Sequence, residues 1–229
     1  MFDVDIPRLS SDGIHFDYAC FYYIYSLQSS SIHSLISSSF DADGLENYIN
    51  FGKQEPSATC TVVKNRKELN SIPLNVEDLW IGRFVASDMY VFSPSRFQSL
   101  KTLVIGNGLF WLVNRLRLNN LPSLQSIMIG EHCFGNVRVF ELDGLSELES
   151  VVIGQRSFRI SRYDERNDGS CQIVNCPKLK SIQIGRESFR DYHTFELNNL
   201  PSLQSIEVGE NCFYWTPSLS LTGLIDGLV

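Results

Sequence analysis

The stretch LPSLQSIMIGEHCF, from Leu121 to Phe134, returns as LPSLQSIEVGENCF, from Leu200 to Phe213, 79 positions later. A repeat this close constrains the fold only if the interval divides, and it does. The glycine inside the motif falls at Gly82, Gly106, Gly130, Gly154, Gly185 and Gly209, in steps of 24, 24, 24, 31 and 24. An aromatic follows four residues later at Phe110, Phe134, Phe158, Phe189 and Phe213, with Ala86 in the first copy. The leading leucine keeps the same comb at Leu100, Leu124, Leu148, Leu179 and Leu203, with Val76 in the first copy. Periods of this length are the signature of stacked architectures, in which each unit contacts only its neighbours.

Within one copy the pattern is Leu-x-x-Ile-x-Ile-Gly-x-x-x-Phe, five variable residues, then Phe-x-Leu-x-x-Leu. Ile127 and Ile129 are spaced by two, which is strand periodicity, and Gly130 is placed for a turn beyond the strand. Phe140 and Leu142 alternate again and lead to Leu145, while Pro122, Pro177 and Pro201 mark the closing turns. A second short strand on an opposite wall is predicted, and no helix is required. The few apolar side chains of one copy fall far short of its conformational entropy, so a single repeat cannot fold alone. The expected fold is a repeat solenoid, mainly β, with short strands on two walls and little helix.

The period covers residues 71–229 in about six copies, one of them 31 residues long, and does not reach residues 1–70. That first segment reads as an N-terminal cap with a flexible part. Ile32, Leu35 and Ile36 are at helical spacing, and the run CTVV (Cys60 to Val63) is placed to cover the first repeat as a strand. The seven extra residues of the long copy read as a loop leaving the stack. At the other end IDGLV follows Leu224 without a polar cap, so end-to-end self-association through the last repeat is an expectation.

A net charge of -7 with 19 Lys and Arg argues against nucleic acid, whose recognition rests on clustered cations. The N-terminus carries early acids and no signal-peptide pattern, and the most apolar stretch, ACFYYIYSL from Ala19 to Leu27, is too short to span a bilayer. These readings predict no membrane insertion and a cytoplasmic protein. Cys133 and Cys212 occupy a repeat position otherwise held by Leu109, Ser157 and Ser188, and Cys176 replaces a repeating leucine, so the cysteines read as small buried residues. His15, His33, His132 and His193 share no metal spacing, and the counterparts of His132 are Gly108, Arg156, Glu187 and Asn211. No CxxC occurs, which leaves a zinc site without support. In the insertion RYDERNDG, Arg166 stands where a calcium ligand is needed and Asn175 where a bidentate glutamate belongs. Neither a phosphate-cradling glycine loop nor a GxSxG elbow is present. The sequence therefore predicts no catalytic residues, no metal and no cofactor: not an enzyme.

The Leu-x-x-Ile-x-Ile of Leu124 to Ile129 and its copies resembles the Leu-x-x-Leu-x-Leu core of leucine-rich repeats. The Ile-Gly-x-x-x-Phe continuation, as in IGEHCF and IGRESF, is similar to the divergent BspA-like repeats of microbial eukaryotes. The resemblance covers about Ser71 to Leu224, and Gly stands here where the family's Asn would. It implies a binding scaffold.

In such a pattern the residue between the two strand aliphatics points outward. One outward column reads Trp80, Val104, Met128, Val152, Gln183, Glu207, and its neighbour reads Asp78, Thr102, Ser126, Ser150, Ser181, Ser205. The first four members of the former make an apolar stripe, the kind of surface that marks a contact site; its bland reading is β-propensity, or cover by residues 1–70. The candidate binding residues are thus Trp80, Val104, Met128 and Val152 on the strand face, with Arg162, Tyr163, Asp164, Glu165 and Arg166 in the inserted loop. The expected function is a non-catalytic protein–protein interaction scaffold with a protein partner. The alternative is a surface adhesion or carbohydrate-contact module of a longer secreted protein.

Overall fold

The computed structural model describes residues 60–82, 88–160, 168–214 and 216–223, which form a parallel β-solenoid of about six turns. One wall is a seven-stranded sheet in the order β1 (Thr61–Val63), β2 (Asp78–Ile81), β3 (Thr102–Ile105), β5 (Ser126–Ile129), β7 (Ser150–Ile153), β9 (Ser181–Ile184) and β11 (Ser205–Val208). The opposite wall holds five strands: β4 (Arg115–Leu118), β6 (Val139–Asp143), β8 (Ser170–Val174), β10 (Thr194–Asn198) and β12 (Ser218–Thr222). Helix is confined, among the described residues, to the short α1 (Arg66–Asn70), started by Asn65, whose side chain accepts from the Glu68 N–H at 3.1 Å.

Alternation does what the spacing predicted. The strands of the first wall bury their second and fourth residues, so Leu79, Leu103, Ile127, Val151, Ile182 and Ile206 line the interior beside Ile81, Ile105, Ile129, Ile153, Ile184 and Val208. The second strand of each copy from the second onward forms the facing wall, where Phe140, Cys171 and Phe195 and, two residues on, Leu142, Ile173 and Leu197 point inward. CTVV supplies β1, which pairs in parallel with β2 and adds the seventh strand. The rest of the first segment, residues 1–59, and the terminal residues 224–229 lie outside the described residues, and with them the helical spacing near Ile32 and the proposed self-associating end. So does most of the insertion; its neighbours nonetheless stay in register, β7 pairing directly with β9 and β6 with β8.

The comb phenylalanines stack through the interior. Successive ring centroids of Phe110, Phe134, Phe158, Phe189 and Phe213 are 5.2, 5.1, 4.7 and 5.2 Å apart and nearly parallel. These distances follow the strand spacing of about 4.8 Å. Phe92 continues the stack beneath Phe110 at 4.3 Å, in the first coil, where the comb has Ala86. Tyr192 fills the interior beside the long coil, its hydroxyl donating to the Val137 carbonyl past the coil that carries the insertion.

The comb glycine has a different reason from the turn the sequence suggested. The N–H of Gly106, Gly130, Gly154, Gly185 and Gly209 each donates to the strand-end carbonyl of the preceding coil at 2.7–2.8 Å. A Cβ at Gly154 would lie 2.6 Å from the Gly130 carbonyl carbon, and one at Gly185 2.5 Å from the Gln155 nitrogen. Close backbone approach excludes any side chain there. The left-handed residues lie elsewhere: Gly108, His132, Arg156, Glu187 and Asn211 share one column, the five comb phenylalanines a second, and Asn120, Gly144, Asn175, Asn199 and Gly223 a third.

Candidate functional site

The outward face of the seven-stranded sheet is set by its register. Val62, Trp80, Val104, Met128 and Val152 are consecutive cross-strand neighbours, followed by Gln183 and Glu207. Trp80, Met128 and Val152 keep part of their surface in solvent. Val104 does not: at 4% exposure it corrects the expectation of a uniformly exposed stripe. It stands in register between Trp80 and Met128. Val62, partly exposed, extends the stripe by one strand and was absent from the sequence reading because β1 lies outside the 24-residue comb.

Beside this column Asp78, Thr102, Ser126, Ser150, Ser181 and Ser205 are likewise in register and partly exposed. The face is bordered by paired charges, Lys101 with Glu77 at 2.6 Å and Lys180 with Glu149 at 2.7 Å. The Lys180 ammonium, by hydrogen bond and charge, holds the Glu149 carboxyl below its ordinary range. At the far end the Gln183 amide donates to the Glu207 carboxylate at 3.0 Å. The face therefore grades from apolar on β1 to β7 to polar on β9 and β11. The opposite wall is polar outside, with Arg117 paired to Glu141 at 3.1 Å and Gln172 bonded to Glu196 at 2.9 Å.

The second candidate set, Arg162, Tyr163, Asp164, Glu165 and Arg166, lies outside the described residues. Of the insertion, Asp168 is described and forms an ion pair with Arg138 on the preceding coil.

Cys133, Cys171, Cys176 and Cys212 are fully buried, as expected of small interior residues, whereas Cys60, at the edge of the first wall, is only half-buried and Cys20 lies outside the described residues. Burial pushes the Cys133 thiol up to about 12 and that of Cys176 to about 11, which keeps both protonated at neutral pH. Cys176 Sγ donates within its own turn, to the Val174 carbonyl at 3.3 Å, whereas two other thiols reach the preceding coil. Cys133 Sγ donates to the Gly106 carbonyl at 3.1 Å and Cys212 Sγ to that of Gly185 at 3.0 Å; the hydroxyls of Ser157 and Ser188 do the same to Gly130 at 2.8 Å and Gly154 at 2.9 Å. Each serine also accepts from the backbone of the coil before it, Ser157 from Cys133 N–H and Ser188 from Ser157 N–H, both at 3.1 Å. His132 is exposed at a left-handed position. Among the described residues no three His, Cys, Asp or Glu side chains converge to hold a metal, and no helix is long and apolar enough to cross a membrane.

One exposed aromatic was not singled out by the repeat. Trp111, directly after the comb Phe110, is 48% exposed, and its ring lies against the backbone of Gly135, where a Cβ would meet ring carbons at 2.5–2.7 Å. The signal was present: Gly135 is the glycine exactly one period after the tryptophan. Comparison of the chain with protein-family models, with curated proteins and with solved structures finds no match in any of the three.

Proposed function

We propose that this chain is a non-catalytic protein-interaction scaffold that binds a protein partner through the outward face of the seven-stranded sheet. The observation that carries the reading is the in-register column Val62, Trp80, Met128 and Val152, partly exposed around the buried Val104. An aromatic flanked by aliphatics, with a polar margin, is the composition of an interface centre, where a few residues contribute most of the affinity. The repeat is read as a divergent leucine-rich type of BspA-like character. Buried Leu124, Ile127 and Ile129 support this, and after the first strand, where Gly stands in place of the family's Asn, Ser and Cys side chains bond successive coils. A cytoplasmic setting is favoured by the protonated, unbridged interior thiols.

The test pairs Trp80→Ala with Met128→Lys and follows capture of a partner from native lysate, identified by cross-linking to the sheet face. The double variant should fold as the parent does and lose the partner, whereas Gln183→Lys, at the polar end, should retain it. Equal capture by the double variant and the parent removes this face from the interaction.

The alternative, a surface adhesion or carbohydrate-contact module, is favoured by one observation: the half-exposed Trp111 ring held flat on Gly135. Such an amphipathic platform suits the C–H face of a sugar. Binding to an oligosaccharide panel that Trp111→Ala abolishes would support that reading over the first.

A further inference from the structure

At the corner that follows β7 and β9, three guanidinium groups converge on one carboxylate. Glu187 Oε2 lies 3.4 Å from Arg156 Nε and 3.1 Å from Arg159 Nη1, and its Oε1 lies 3.0 Å from Arg186 Nη2 and 3.5 Å from Arg156 Nη2. The fold builds this cluster from repeat positions. Arg156 and Glu187 are successive members of the left-handed column, Arg186 precedes Glu187 in the chain, and Arg159 follows the comb Phe158. The Glu187 side chain is 13% exposed, while those of Arg156, Arg159 and Arg186 are 41%, 39% and 50% exposed. The anion of the cluster is thus inside and the cations outside it.

We propose that Arg156, Arg159 and Arg186, arranged by Glu187, bind a tetrahedral dianion, the phosphate monoester of a phosphorylated protein partner.

Charge and donor number support this. Three guanidiniums and one carboxylate leave an excess of two positive charges, which matches a dianion, on a chain whose net charge is -7. Each guanidinium offers five N–H donors and a carboxylate accepts about four hydrogen bonds, so most donors of the trio remain for a second oxyanion. The Arg156 Nε–H, although 3.4 Å from Glu187, is buried without a well-formed hydrogen bond. The forks converge on the Glu187 carboxylate, and the N–H groups they leave toward solvent are the planar donors that phosphate oxygens match. Burial acts to raise the Glu187 carboxyl, but bonds and charge from Arg186, Arg156 and Arg159 outweigh it and hold the group below its ordinary range, so it stays anionic and keeps the three side chains in place. The other acids of this corner are Glu131 and Glu210, in the column of Arg186, and Asp191; Arg190, one coil beyond Arg159, lies over the Tyr214 ring at 5.5 Å. The site is on a different surface from the apolar stripe and stands independently of it.

The test uses the full chain and follows the side-chain Nε–H resonances of its arginines by NMR. Inorganic phosphate and O-phosphoserine are titrated, with serine and a sulfated disaccharide as comparisons. Phosphate and phosphoserine should shift the resonances of Arg156, Arg159 and Arg186, and serine should not. Arg159→Gln and Arg186→Gln should each weaken phosphoserine binding about tenfold, the loss of one charge-assisted hydrogen-bonding partner. Glu187→Gln, which removes the carboxylate that holds the three side chains in place, should weaken it as well; circular dichroism and the thermal midpoint confirm that each variant is folded. The proposal is overturned if millimolar phosphate leaves the three resonances unmoved, or if folded Glu187→Gln and Arg159→Gln leave affinity unchanged. Binding of the sulfated disaccharide without phosphoserine would overturn the phosphate assignment.

Discussion

A phenylalanine in the left-handed region is a costly residue, since a bulky side chain there strains the backbone by about 1–3 kcal/mol. This chain places one in every coil from the second onward, with φ between 51° and 57°. The compensation is burial: Phe110, Phe134, Phe158 and Phe189 are fully buried and stack ring on ring. Phe134→Ala, in the middle of the stack, should therefore cost about 3–5 kcal/mol, whereas Gln125→Ala, exposed beside β5, should stay within about 0.5. Urea midpoints that coincide for the two variants would contradict the stack. Glycines divide by mechanism in the same way. Gly154→Ala forces a methyl to within 2.6 Å of the preceding coil's backbone and should cost about 1–3 kcal/mol. Gly144 has open space around its Cα and shares its column with Asn120, Asn175 and Asn199, so Gly144→Asn should change stability by less than about 0.5 kcal/mol.

Between coils, the backbone ladders of the two sheets are joined by the side-chain series Cys133, Ser157, Ser188 and Cys212. Removing one hydroxyl leaves a buried N–H and a buried carbonyl together. Ser157→Ala should accordingly destabilise by about 1–3 kcal/mol, because it breaks the bonds to Gly130 at 2.8 Å and from Cys133 at 3.1 Å. Ser157→Cys should recover most of the loss, since a thiol already makes the same bond at Cys133. If the alanine and cysteine variants melt alike, packing rather than hydrogen bonding governs the position. The repeat pattern read Cys133 and Cys212 as buried and put Ser157 and Ser188 in the same column, but did not show them joined: spacing reports which side chains share a column, while donor and acceptor pairing depends on how the corner turns.

Across the molecule each coil touches the coils before and after it, so a defect should weaken with distance along the stack. Cys133 is on the coil of Phe134 and Cys212 is three coils away, and both are fully buried. In a background lacking Cys20 and Cys60, Phe134→Ala should speed thiol labelling of Cys133 far more than that of Cys212, read by mass spectrometry. Equal acceleration at both would show that the array opens as one unit.

The period, the two walls and the buried comb were legible because side-chain alternation and a regular repeat are properties of order along the chain, and stacking simply superimposes them. CTVV, outside the period, was legible as a covering strand from its short β-branched run alone. The outward column was also legible, but its accessibility was not: Val104 is buried while Val152, at the same strand position and likewise between larger residues, is partly exposed, a difference the pattern of one strand does not carry. The purpose of the comb glycine, the Ser and Cys bonds between coils and the three arginines gathered on Glu187 were decided only in three dimensions. Residues 24 or 31 apart meet there at hydrogen-bonding distance, and the left-handed corners that aim them leave little trace in composition, since Gly, His, Arg, Glu and Asn all occupy the same turn.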